Sequence, residues 1–127
     1  EIFKRRIKII KRQEMKDQLI KLHNEFVDKG MKRSAFLNIM SLAISDRKSL
    51  KILTDKDIGY VLLDMQTWLR EEHGIDLWMD SCGENMYHVE DITKNDKYGW
   101  SLGTGKPSKN YNEALLSGLQ EAIKLIE

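Results

Sequence analysis

Across His73 and Gly74 the spacing of apolar residues changes from the helical period to the strand period. Upstream, Ile58, Val61, Leu62, Met65, Trp68 and Leu69 form one continuous face at three- and four-residue steps. Downstream, in "IDLWMDS", Ile75, Leu77 and Met79 alternate with Asp76, Trp78 and Asp80, the pattern of a half-buried strand. A helix that yields at once to a strand requires a partner surface for each apolar side. The two sides complement one another, which points to an α+β arrangement.

The rest of the C-terminal half extends that reading. Thr54 and Asp57 have capping spacing, with Asp in place of the usual Glu or Gln. "CGEN", Cys82 to Asn85, reads as a hairpin turn and "MYHVEDI" as the returning strand. A third short strand is expected around "YGWSL". The last segment, "NYNEALLSGLQEAIKLIE", opens with Asn110 and Glu113 in capping-box spacing and presents Leu115, Leu119, Ala122 and Ile126, with Leu116 and Ile123 beside them.

The N-terminal half reads as helical. Ile2 to about Asp28 contains no glycine or proline, and Gly30 is placed to end the helix. Phe3, Ile7 and Ile10 make one stripe; Met15, Leu19, Leu22 and Phe26 make another. The five-residue step from Ile10 to Met15 predicts a bend, a break or a change of packing partner. Ser34 can cap a second helix running to Ser45, too apolar for solvent. A soft boundary near 47–54 divides a basic, apolar helical region, 1–53, from an α-β-β-(β)-α region, 54–127. The expected fold is α+β: N-terminal helices, a long amphipathic helix, a two- or three-stranded antiparallel meander, and a C-terminal helix packed on the sheet.

Charge follows the same boundary. Residues 1–53 carry 14 Lys and Arg against 6 Asp and Glu, a net of +8; residues 54–127 carry 7 against 14, a net of −7. The densest basic run, "KRRIKIIKR", would suit nucleic acid, an anionic surface, or the acidic half of this chain or a twin. Its cations read as surrounding the helix, a poor design for a membrane. One cysteine, Cys82, excludes an intrachain disulfide and fits a reducing compartment, so a cytoplasmic protein is expected.

No segment carries a strong chemical signature. "GWSLGTGKPS" resembles the end of a phosphate loop, but Trp100 stands where a Walker A glycine is required and Pro107 where a hydroxyl is. Asp80, Cys82, Glu84 and His88 gather around the hairpin without the paired spacing of a zinc site. Cys82, His23, His73 and His88 lack a nucleophile motif around them. No enzyme activity, cofactor or metal is expected. Two surfaces remain. Trp78, Tyr87, Tyr98 and Trp100 form a candidate protein interface on one sheet face, whose acidic rim disfavours nucleic acid. Lys4, Arg5, Arg6, Lys8, Lys11 and Arg12 form a candidate nucleic-acid contact.

"WLREEHGI" (Trp68 to Ile75) and "YNEALLSGLQEAIKLIE" (Tyr111 to Glu127) resemble a group of small uncharacterised proteins from Bacteroides-type bacteria and their phages. Asn110 and Asn112 depart from the Ser and first Glu of that group's last helix. The resemblance covers roughly 54–127 and implies a small phage or mobile-element accessory protein. The expected function is therefore non-enzymatic: binding another protein, or itself as a homo-oligomer, with nucleic-acid binding by the N-terminal helix as the alternative.

Overall fold

The computed structural model describes residues 2–37, 54–80, 83–91 and 101–126. Helix α1 (Ile2–Asp28) leads to α2 (Asp55–His73), strands β1 (Ile75–Asp80), β2 (Met86–Asp91) and β3 (Ser101–Thr104), then α3 (Tyr111–Ile123). The strands form an antiparallel meander with β2 in the centre. Helices α2 and α3 pack together on one sheet face, and α1 packs against both. The architecture is the expected α+β.

Each helix ends where its sequence stops it. Gly30 takes a φ of 112°; its N–H reaches the Val27 carbonyl at 3.0 Å, and that of Met31 reaches Phe26 at 3.1 Å. This is the paired bonding of a Schellman end, with Met31 and Phe26 supplying its apolar contact. In α2, the Thr54 hydroxyl accepts the Asp57 N–H at 3.2 Å, and the Asp57 carboxylate accepts the Thr54 N–H at 3.2 Å. Asp therefore closes the capping box. Asp55 and Asp57 in the first turn, and Arg70 and His73 in the last, complement the helix dipole. Gly74 is left-handed, with φ 62°, and releases the chain into β1.

Asn110 caps α3 by accepting the Glu113 N–H at 3.1 Å, but the expected reciprocal bond is rerouted. The Ser108 hydroxyl accepts the Asn110 N–H at 3.1 Å and donates to Glu113 Oε2 at 2.9 Å. Ser108 thus stands between the two members of the box.

The core lies between sheet and helices. Ile75, Leu77, Tyr87 and Val89 supply the sheet side; Ile58, Val61, Leu62, Met65 and Leu69 come from α2, and Ala114, Leu115, Leu116, Leu119 and Ala122 from α3. Met79 departs from the expected row: at 39% exposed, it sits near the end of an edge strand, where the inner face is less covered. Gln66 on α2 donates to the Leu77 carbonyl at 3.1 Å, giving that edge a partner. A register shift between Val89 and Glu90 offsets β3, which is described over "SLGT" and shares Ser101 and Leu102 with the expected "YGWSL"; residues 98–100 lie outside the described residues. The Ser34–Ser45 helix is described only at its start, where Ser34 accepts the Phe36 N–H at 3.4 Å with its hydroxyl and the Leu37 N–H at 3.0 Å with its carbonyl. Residues 38–45 and the connector 47–53 lie outside the described residues.

Candidate interaction surfaces

Helix α1 is continuous where a bend or break was one expectation; what changes is the packing partner. A five-residue step turns about 140° around an α-helix, so the stripes before and after it face different ways. Met15, Leu19, Leu22 and Phe26 face α2 and α3 and are buried. Residues 2–12 are all exposed: α1 begins as a projection. On its outward side lie Phe3, Ile7 and Ile10, between 43% and 78% exposed, while the exposed Ile2 and Ile9 fall on a different side, in line with the buried Ile20.

The helical spacing also corrects the expected scatter of cations. On an unbroken helix Lys4, Arg5, Lys8, Lys11 and Arg12 share the side that continues the buried stripe, opposite the apolar row. Arg6 alone lies with the apolar residues. Arg12 is already engaged: its Nη2 donates to Asp55 Oδ2 at 2.8 Å, at the start of α2. The Asn112 side chain donates to the Asp55 carbonyl at 3.1 Å, joining α3 to the same point.

The outer sheet face carries Trp78, 44% exposed and stacked on His88 at 4.1 Å with their planes 12° apart. His88 Nε2 lies 3.6 Å from Asp80 Oδ2, and Asp76 and Glu90 occupy the same face. Tyr87 is not part of this surface. It pairs with Met79 in the ladder, so its side chain enters the core, where it is 2% exposed and rests edge-on to Tyr111 at 5.8 Å. Burial first, then hydrogen bonding and repulsion from Tyr111, push its phenol above the usual range. Tyr98, Trp100 and Cys82 lie outside the described residues. Of the titratable residues gathered around the hairpin, His88 approaches Asp80 while Glu84 is exposed on the turn; among the described residues, no group of three His, Cys, Asp or Glu side chains could hold a metal ion.

"GTGKPS" is a packing element. The Gly105 N–H donates to the Tyr87 carbonyl at 2.9 Å, and the Lys106 N–H to Ser117 Oγ at 2.6 Å. A Cβ on Gly105 would fall 2.5 Å from the Gly118 nitrogen and 2.8 Å from its Cα. Asn85 and Ser108 then exchange backbone hydrogen bonds at 3.0 and 2.9 Å. The glycine thus serves close approach to α3, while Lys106 is exposed.

One polar cluster was hidden from the sequence pattern. The Ser34 N–H donates to His23 Nε2 at 3.0 Å, and the Ser34 hydroxyl donates to Asp64 Oδ2 at 2.5 Å. His23 and Ser34 are buried. Burial, then the charge of Arg33, lower the His23 pKa; Asp64 opposes the shift. The hydroxyl is committed to the carboxylate rather than to the imidazole, so the three do not form a nucleophile–base relay. Beside them is an open groove of about 720 Å³, with Lys29, Lys32 and Arg33 on one wall and Asp64, Glu71 and Glu72 on another. Ser34 was legible as a cap; its long-range partners were not.

These features define a small α+β protein with two exposed surfaces of opposite character, one apolar and basic, the other aromatic and acidic. Comparison with protein-family models, curated proteins and solved structures returned no match.

Proposed function

We propose that this protein is a non-enzymatic interaction module that acts by binding protein through the α1 projection. The observation behind this reading is the outward row Phe3, Ile7 and Ile10, exposed together on an 11-residue helical overhang. Contiguous apolar surface is costly in water and marks a contact site. The phage or mobile-element accessory role, and a cytoplasmic location, rest on the sequence resemblance and the single cysteine. Among the described residues, no helix is long and apolar enough to cross a membrane.

The test is cross-linking of the full chain to its binding partner, compared with the Ile7→Glu/Ile10→Glu variant. Loss of the cross-link in that variant supports the reading; an unchanged cross-link sinks it. Nucleic-acid binding is the second reading, favoured by the exposed cations Lys4, Arg5, Lys8 and Lys11 on the other side of the same helix. It predicts salt-sensitive duplex binding that is lost on changing those four to Gln and kept in the Ile7→Glu/Ile10→Glu variant. The two sides of α1 therefore separate the two readings.

A further inference from the structure

We infer that the occupant of the outward α1 face is a second copy of this chain, lying antiparallel to the first. This rests on the interaction reading above and names its partner. Phe3, Ile7 and Ile10 follow four- and three-residue steps, the spacing of a two-helix seam, and the same line continues as Glu14 and Asp17. The row is thus apolar at one end and acidic at the other, with Arg6 beside its apolar part. Asp17 accepts a hydrogen bond from Gln13 at 3.1 Å. Arg6 and Glu14 form no ion pair among the described residues.

That charge order selects one arrangement. In a parallel pair, each Glu14 would face its twin across the seam and each Arg6 would flank the other copy's Lys11, and both contacts are repulsive. In an antiparallel pair with Ile7 over the partner's Ile10, Arg6 lies three residues, or about 4.5 Å along the axis, from the partner's Glu14. Two-fold symmetry makes this contact twice, so the surface is complementary to itself. A lipid surface fits less well. Five of the six cations lie on the side away from the apolar row, and Glu14 and Asp17 continue the row with charge that anionic headgroups repel.

Sedimentation of the full chain over a wide concentration range tests the inference. A monomer–dimer equilibrium is expected, weakened at least about tenfold in Kd by Ile10→Glu. Arg6→Glu and Glu14→Arg should each weaken it several-fold, and the Arg6→Glu/Glu14→Arg double variant should restore it. All these positions are exposed, and circular dichroism checks that each variant remains folded. A chain that is monomeric throughout, a dimer indifferent to Ile10→Glu, or failure of the double variant to rescue each overturns the inference. So does Ile10-dependent binding of the monomer to phosphatidylcholine–phosphatidylglycerol vesicles. A monomer that cross-links through Ile10 to a different protein removes the second copy but leaves the interaction reading; a monomer with no Ile10-dependent protein contact removes both.

Discussion

Residues 2–12 and 15–26 of α1 share one helix and a similar supply of large apolar side chains, yet they meet different surroundings. The first stretch is exposed throughout; the second buries Met15, Leu19, Ile20, Leu22 and Phe26. Nothing in local helix propensity separates them. The five-residue step between Ile10 and Met15 does, because it turns the first apolar row away from the side on which α2 and α3 lie. A helix can thus be anchored by one end and recruited for contact by the other, without a hinge.

The contrast is sharpest in its effect on stability. Phe26 is fully buried and edge-on to Trp68 at 5.7 Å, so Phe26→Ala should cost about 3–5 kcal/mol in urea unfolding. Next, Ser34→Ala removes the hydroxyl that donates to Asp64 and should cost about 1–3 kcal/mol by the same measurement. A similar loss of stability in the outer half would break the comparison.

The anchored half should also respond to pH. His23 Nε2 accepts a backbone N–H, so protonation removes that acceptor, and its folded pKa is lowered from 6.5. The unfolded chain then binds the proton more readily. Stability from this group is fully present above 6.5 and is lost as pH falls from there through the folded pKa. Melting temperatures of the chain and of His23→Gln should show a drop that the variant lacks.

Effects shrink toward the projection. Arg12→Ala removes an ion pair whose side chains are 65% and 62% exposed, and should cost less than about 1 kcal/mol. Phe3→Ala and Ile7→Ala should change monomer stability by no more than about 0.5 kcal/mol, measured by urea unfolding at dilution. A larger loss in the monomer would mean that the projection packs on its own body, and the division of α1 would fail.

Much of the fold was legible because local signals are short in range. Thr54 and Asp57, Gly30, Gly74 and Asn110 act on neighbours within a turn, and the alternation in "IDLWMDS" marks its own two faces. The N-terminal cap of α3 was less legible in full, because Ser108 enters a box that spacing alone assigns to Asn110 and Glu113. The candidate surfaces were only partly visible. Trp78 was placed on the outer face, but Tyr87 was grouped with it because the hairpin register, which assigns a residue to one face or the other, depends on long-range pairing. The His23–Ser34–Asp64 cluster was missed for a similar reason: its members are 11 and 30 positions apart.

By itself, the sequence determined where α1 ends, where α2 and α3 begin and where α2 gives way to β1, that these elements bury apolar sides against one another, and that charge divides the chain in two. Only the tertiary structure decided which stripe of α1 meets the core, that Tyr87 lies inside, and that Gly105 is needed for the close approach to Gly118. The reason is physical. Periodicity states that a face is apolar, but the neighbour that covers it is brought there by residues far along the chain. In the outer turns of α1 no such neighbour arrives from the described residues, and the apolar row remains in solvent.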